Sequence, residues 1–161
     1  MKLILFRHGQ AEELGTHGND AERALTAKGR ERLRRGAEGL KFRLRDCSAI
    51  KIWSSPLVRA CQTAEIIADS LHIEKFEEIG ALATGDSAEL NKKLQELSYG
   101  SCLIAVGHEP YLGLWSQTIC DVRLPFRKGA AAVIEVSGTD PIHGDLCWFA
   151  QSEVLSEFAG K

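Results

Sequence analysis

Five short apolar runs in this chain have the length and the β-branched or aromatic content of buried strands. They are, in chain order, LILF (3–6), AIKIW (49–53), CLIAVG (102–107), AAVIEV (131–136) and LCWFA (146–150). The longer segments between them carry apolar residues at helical spacing. Short strands that alternate with helices are typical of α/β proteins, so the pattern predicts a mainly parallel sheet with helices packed against it.

Four segments between the strand candidates predict helices. They are 26–44, 56–71, 86–97 and a segment from Pro110 to about Cys120. In the first, apolar side chains recur at spacings of four, three and four, which places them on one helical face. The second repeats this period, and we expect Ser55 as its N-cap with Pro56 at its first helical position. The third carries leucines on one side and predicts a surface helix.

Length and charge narrow the class of protein. A chain of 161 residues has the usual size of one domain, so residues 1–161 are expected to share a single core. The 20 basic and 22 acidic residues give a formal charge of −2, which favours neither nucleic-acid binding nor a polybasic membrane contact. No apolar stretch approaches the ~18 residues of a transmembrane helix. Five cysteines, an odd number without a C-x-x-C pair, are typical of a reducing compartment. We therefore expect a cytoplasmic monomer.

Basic side chains follow three of the predicted strands. Arg7 and His8 come directly after the first strand, and His108 follows the third. Arg59 lies in the first turn of the helix that follows the second strand. Because ligands of open α/β sheets bind at the carboxyl ends of the strands, we expect these four side chains to reach the same edge.

Two arginines and two histidines at one edge predict a receptor for a dianion such as phosphate. The planar guanidinium donates two parallel hydrogen bonds to phosphate oxygens and stays charged at working pH. Gly9 and Gly107 would permit close backbone approach. Each basic residue alone has an ordinary structural explanation, as a histidine satisfied at a strand end or a solvated arginine. Their joint placement favours the anion site, since a bound phosphate would partner charges that are costly to bury alone.

Other kinds of site find less support. His17 and His72 have no companions at metal-ligand spacing, and His143 lies in the polar turn GTDPIHGD, so we expect neither a metal nor a cofactor. The Cys–His pairs lack a nucleophile in a strand-to-helix turn. The three tryptophans have no basic groove beside them and so do not predict a platform for stacking bases.

Four segments together resemble the histidine phosphatase superfamily, also called phosphoglycerate-mutase-like. They are LILFRHGQAE (3–12), RALTAKGRERL (23–33), WSSPLVRACQTAEII (53–67) and VGHEPYLGLW (106–115). The R-x-L-T-x-x-G and G-H-x-P elements within them are similar to those of the SixA-type phosphohistidine phosphatase branch. The resemblance implies a three-layer α/β/α sandwich over the whole chain.

The resemblance also implies a role for each residue at the predicted edge. His8 would be the nucleophile that becomes phosphorylated, while the residues holding the phosphoryl oxygens would be Arg7, Arg59 and His108, with Gly9 and Glu109 also at the phosphate. A histidine attacks phosphorus only through an unprotonated ring nitrogen, and neighbouring positive groups oppose its protonation. The same groups would stabilise charge on the transferring phosphoryl group, so no metal is required.

One element of the wider superfamily has no clear counterpart. Its ester-cleaving members generally carry an acidic proton donor in the segment that reads EEIGALATGDSAEL (77–90) here. The acids of this segment stand at its two ends, and each can equally solvate a loop or a helix start; they are Glu77, Glu78, Asp86 and Glu89. SixA-type members likewise lack a clear donor. We therefore expect hydrolysis of phosphohistidine on a protein of the phosphorelay type, with a small-molecule phosphoester phosphatase or a non-catalytic phosphate-binding module as alternatives.

Overall fold

Within residues 1–15 and 18–160, which the computed structural model describes, six strands form one mixed sheet. The strands are β1 (Lys2–Arg7), β2 (Ile50–Ser54), β3 (Glu77–Glu78), β4 (Cys102–Gly107), β5 (Ala131–Thr139) and β6 (Ile142–Ala150). Their order across the sheet is β3-β2-β4-β1-β5-β6. The first four strands in this order are parallel, whereas β5 runs antiparallel to β1 and β6 antiparallel to β5. The prediction of a mainly parallel sheet is confirmed.

Helices cover both faces of the sheet. They are α1 (Ala27–Arg43), α2 (Val58–Leu71), α3 (Ala81–Thr84), α4 (Ser87–Gln95), α5 (Tyr111–Cys120) and α6 (Ser152–Phe158). Buried side chains of α1, α2 and α6, such as Leu40, Ile67 and Leu155, belong to the core on one face. Side chains of α3, α4 and α5, such as Leu82 and Leu112, belong to the core on the other. This arrangement is the three-layer α/β/α sandwich that the family resemblance implied.

The helix after β2 begins later than predicted, because Ser55 bonds to the sheet. Thr26 caps α1 as its side chain accepts a hydrogen bond from the Gly29 backbone. Helix α2, however, begins at Val58, and its N-cap residue makes no side-chain cap bond. The predicted cap at Ser55 is wrong, because the backbone N–H of Ser55 extends the sheet by donating to the Val106 carbonyl. Pro56 consequently lies before the helix.

The sequence pattern missed three short elements and misplaced the start of a strand. The sequence pattern did not predict β3, α3 or α6, since each is short and both residues of β3 are exposed. Strand β6 begins at Ile142, four residues before the predicted 146, and its early residues alternate between buried and exposed positions. Helix α4 is less superficial than expected, because Leu90 and Leu94 are buried. In the described part of the chain, no helix is long and apolar enough to cross a membrane.

Candidate active site

The four predicted basic residues meet at the carboxyl edge of the sheet; Arg7, His8, Arg59 and His108 are called the basic cluster below. Strands β1 and β4 pair in parallel with Arg7 opposite Gly107, so the residues that follow them, His8 and His108, emerge side by side. The centroids of the two histidine rings are 4.9 Å apart. The Nε of Arg59 lies 3.4 Å from Nε2 of His8. Sheet register therefore brings together residues that are distant in sequence.

His8 is held in one tautomer. Its Nδ1 lies 2.7 Å from the Gly9 carbonyl oxygen. A carbonyl oxygen can only accept, so Nδ1 carries the proton and Nε2 presents its lone pair towards Arg59. Burial lowers the pKa of His8 to about 3, and the charges of His108, Arg59 and Arg7 act in the same direction. The ring is therefore neutral near pH 7, and burial contributes more to this state than the neighbouring charges that the sequence suggested.

His108 is the second buried histidine of the cluster. Its Nε2 lies 2.7 Å from Oγ of Ser55, a contact that the sequence did not predict. Burial lowers the pKa of His108 to about 4, helped by the positive charge of Arg59 and opposed by Asp20. Its Nδ1 is buried and has no hydrogen-bond partner in the described part of the chain. A buried polar atom without a partner costs free energy, so His108 has one unmet hydrogen-bonding position among the described residues.

Arg59 is anchored by an acid that sequence reasoning missed. Its Nη1 donates to the Asp20 backbone carbonyl at 2.8 Å, and its Nη2 lies 3.1 Å from Asp20 Oδ2. The same carboxylate forms an ion pair with Arg23 at 2.8 Å. Burial alone would raise the pKa of Asp20, but hydrogen bonds from Arg23 and Arg59 outweigh it and the pKa is lowered. Asp20 is therefore a carboxylate near pH 7.

Thr63 ties the end of β1 to α2. The backbone N–H of Gly9 donates to Oγ1 of Thr63 at 3.1 Å, and that hydroxyl donates to the Arg59 carbonyl at 2.7 Å. A side chain at Gly9 would also collide with Leu33, because a Cβ there would lie 2.4 Å from Leu33 Cδ1. In the sequence, Thr63 stands on the apolar side of the predicted helix 56–71, four residues after Arg59. A threonine hydroxyl at that spacing can bond to the backbone carbonyl one turn earlier. The glycine and the threonine together fix the distance between His8 and Arg59.

Arg7 reaches across the sheet edge. Its Nη1 donates to the Phe126 carbonyl at 2.8 Å, while its buried Nε has no hydrogen-bond partner in the residues described. Burial lowers its pKa, and the charge of Glu109 opposes this. The carboxylate of Glu109 accepts a hydrogen bond from the Gly113 backbone at 2.9 Å, within the first turn of α5. The side chain of Glu109 is therefore engaged with the helix rather than pointing freely into the cluster.

The acids of segment 77–90 make contacts outside the cluster. Glu77 lies 3.7 Å from the Lys93 ammonium, and Glu78 lies 3.8 Å from Cys61 Sγ. Asp86 caps α4, accepting a hydrogen bond from the Glu89 backbone at 3.0 Å. All four acids are exposed. Among the hydrogen bonds and ion pairs of residues 1–15 and 18–160, none joins these four carboxylates to the basic cluster.

Possible metal ligands are dispersed. Within the described ranges, no group of three or more His, Cys, Asp or Glu side chains could hold a metal ion. His72 is exposed beside Lys41, and His143 is exposed on β6. His17 lies outside the described residues.

Comparison with known proteins identifies the family. The model of the histidine phosphatase superfamily (branch 1) matches residues 3–103. An uncharacterized protein of a Picosynechococcus strain is 35% identical over 129 residues, covering 74% of this chain and 73% of that protein. Phosphohistidine phosphatase SixA of Escherichia coli is 26% identical over 152 residues and 92% of each chain.

Solved structures agree with this assignment. A structure of the protein histidine phosphatase SixA complexed with tungstate superposes with a TM-score of 0.84 at 25% identity, covering 96% of this chain and 99% of that one. A mutant phosphoserine phosphatase of Entamoeba histolytica in complex with phosphoserine gives a TM-score of 0.70 at 16% identity, covering 94% and 98%. The second similarity is one of fold alone. The chain therefore belongs to the histidine phosphatase superfamily and is a phosphatase close in structure to SixA.

Proposed function

We propose that this phosphatase hydrolyses phosphohistidine on a protein, through a phosphorylated His8 and without a metal or cofactor. The observation that carries the proposal is the arrangement of the cluster, in which Nδ1 of His8 donates to the Gly9 carbonyl and Nε2 faces Arg59. The cluster contains a neutral buried histidine among positive groups. The carboxylate of Asp20, which bonds to Arg59 of the cluster, is kept ionised by Arg23 and Arg59. The site thus has a nucleophile and an anion receptor, but its bonded acid has no proton to give.

In the first step, His8 attacks the phosphorus. The lone pair of Nε2 forms a bond to phosphorus as the substrate's phosphorus–nitrogen bond breaks. The two arginines and His108 stabilise the charge on the equatorial oxygens, the usual main source of catalysis in phosphoryl transfer. The unpaired Nε of Arg7 and Nδ1 of His108 would gain partners in the phosphoryl oxygens. Gly9 allows the backbone to approach the phosphate closely. The charge of Glu109 opposes the lowering of the pKa of Arg7.

In the second step, a water oxygen bonds to the phosphorus carried by His8. The proton on Nδ1, bonded to the Gly9 carbonyl, makes this intermediate a cationic phosphoimidazolium. Its ring therefore departs as neutral imidazole when the phosphorus–Nε2 bond breaks. The water's protons leave with the phosphate, and His8 returns to its starting tautomer.

The missing acid selects the leaving group. The alcohol group of an alkyl phosphoester leaves as an alkoxide, a strong base, unless a positioned acid protonates its oxygen. Phosphohistidine with its other ring nitrogen protonated leaves as neutral imidazole and needs no such donor. Within segment 77–90, the carboxylates of Glu77, Glu78 and Asp86 make other contacts, and Asp20 is ionised. The similarity to SixA, a phosphohistidine phosphatase, supports the same substrate class.

A comparison of three substrates tests the proposal. We expect kcat/KM for a phosphohistidine peptide to exceed that for the matching phosphoserine peptide by at least about 10², the lower range of general acid catalysis, with an aryl phosphate in between. His8→Ala serves as the blank for each substrate. Comparable rates on the two peptides would contradict the proposal and favour a small-molecule phosphoester phosphatase. Tight phosphate binding without turnover of any substrate would instead indicate a binding module.

Three conservative variants test the absence of a proton donor. Asp20→Asn, Glu78→Gln and Asp86→Asn each remove one carboxylate with little change in shape. We expect each to change the rates for phosphoserine and phosphohistidine peptides in the same proportion. A variant that loses ester hydrolysis alone would identify a donor and overturn this part of the argument.

A further inference from the structure

A cavity of about 330 Å³ lies beside the end of β1. Its walls come from the residues after β1, the first turns of α1, the loop before β5 and the start of α6. Arg7 and Gly9 are among its lining residues. Because both also belong to the proposed phosphate site, a chain held at His8 can extend into this cavity.

The cavity is strongly cationic. Arg32 of α1 and the loop residues Arg127 and Lys128 line it together with Arg7, against one acid, Glu153. The lining carries a net charge of +3, four cations less one carboxylate, although the whole chain is at −2. Charge of one sign is therefore concentrated next to the candidate active site.

The outer cations of the cavity are available to a partner; Arg32, Arg127 and Lys128 are called the cationic groove. All three are exposed. In the described part of the chain, no ion pair joins them to a carboxylate. The backbone of Arg127 is fixed by Gln151, whose side-chain oxygen accepts its N–H at 3.1 Å. One hydrogen bond thus holds the backbone at Arg127, while the cations of the groove outnumber the single acid of the cavity lining.

We infer that the cationic groove binds acidic side chains that flank the phosphohistidine of a protein substrate. This inference rests on the proposed function, since it assigns the surface beside the phosphohistidine. The phosphoryl group itself is accounted for by the basic cluster, so the groove serves a second, separate set of negative charges. Its three cations stand on two elements and carry long side chains, which suits several acidic side chains along a chain.

The size of the effect follows from the exposure of these charges. An exposed ion pair changes an equilibrium by about 1.5- to 5-fold, and the effect is screened by salt. Three such pairs give about tenfold at low ionic strength. We expect most of the gain in KM, because the flanking charges contact the enzyme equally in the ground and transition states.

Three matched peptides test the inference. Each carries one central phosphohistidine, and the flanking positions are all glutamate, all glutamine or all lysine. We expect kcat/KM to fall in that order at low salt, about tenfold from glutamate to glutamine, and the differences to shrink at about 0.5 M salt. The ratio of kcat/KM for the acidic and basic peptides is the readout, since any effect on the phosphate site cancels in it.

The matched variant is the triple substitution Arg32→Glu, Arg127→Glu, Lys128→Glu. We expect it to reverse the order of the peptides. The control is the triple substitution Lys51→Glu, Lys75→Glu, Lys92→Glu, because it makes the same change of charge at three exposed positions outside the cavity lining. The control should keep the wild-type order. An order unchanged in the triple variant, or reversed equally in the control, would overturn the inference.

The outcomes separate this inference from the proposed function. Equal turnover of all three peptides would overturn the groove and leave phosphohistidine hydrolysis standing. If no peptide is hydrolysed, the proposed function fails, and binding of the unphosphorylated peptides by fluorescence anisotropy still decides the groove. Tighter binding of the acidic peptide, lost in the triple variant, supports it. Equal affinities overturn it, as would binding of a small bisphosphorylated compound without preference among the peptides.

Discussion

Two buried neutral histidines should make the protein sensitive to acid. Burial lowers the pKa of His8 to about 3 and that of His108 to about 4, whereas an unfolded histidine titrates near 6.5. Between these values the unfolded chain binds more protons than the folded chain. The free energy of unfolding therefore falls as the pH drops below 6.5, and the loss from each group ends only near its folded pKa.

The expected loss follows from the pKa values. At about pH 5, some 1.5 pH units below the unfolded value, each histidine costs about 1.36 kcal/mol per unit, or about 2 kcal/mol. The pair therefore costs about 4 kcal/mol relative to about pH 8, a large part of the 5–15 kcal/mol typical of a domain. Removing one of them should remove half of this pH dependence.

Urea unfolding of the wild type and of His8→Asn at about pH 5 and pH 8 measures this. We expect the difference in unfolding free energy between the two pH values to be about 2 kcal/mol smaller in the variant. Other titrating groups cancel in this comparison. His143→Asn, which replaces an exposed histidine of β6, is the control and should keep the wild-type difference. The same pH dependence in His8→Asn and the wild type would refute the claim that the fold keeps His8 neutral.

The remaining predictions concern the nucleophile, the anion clamp and the packing of α1. His8→Ala should fold yet lose turnover and the acid-labile, base-stable phosphoryl adduct that brief reaction and denaturation trap in the wild type; an acid-stable adduct would contradict the assignment. Arg59→Ala should lower kcat/KM by about 10²-fold, or about 3 kcal/mol, and full activity in Arg59→Lys would exclude bidentate contact. Gly39→Ala should destabilise the fold by about 1–3 kcal/mol in urea, because its Cβ would overlap the Leu155 carbonyl, whereas Gly36→Ala on the same helix has open space and should stabilise by up to about 1 kcal/mol.

Local pattern was sufficient for the main elements of the fold. The runs 3–6 and 102–107 became β1 and β4, because continuous apolar sequence of that length suits a strand buried on both faces. Helix α1 follows its predicted apolar face, with Thr26 as cap. The basic residues after these strands were predicted to share one edge, and parallel pairing of β1 with β4 does bring His8 and His108 together. Periodicity depends on neighbouring residues, so it can be read from the chain itself.

Tertiary structure alone decided which side chains bond within the site. Arg59 pairs with Asp20 across 39 positions, and His108 contacts Ser55 across 53, and no spacing in the sequence indicates either contact. Ser55 was predicted to cap a helix, but its backbone N–H donates to the Val106 carbonyl and its hydroxyl contacts His108. The neutral state of His8 likewise depends mainly on burial, which the packing of several elements produces together. Sequence therefore determined which chemical groups reach the edge of the sheet, while their partners and protonation states follow from desolvation and long-range contacts that exist only in the folded chain.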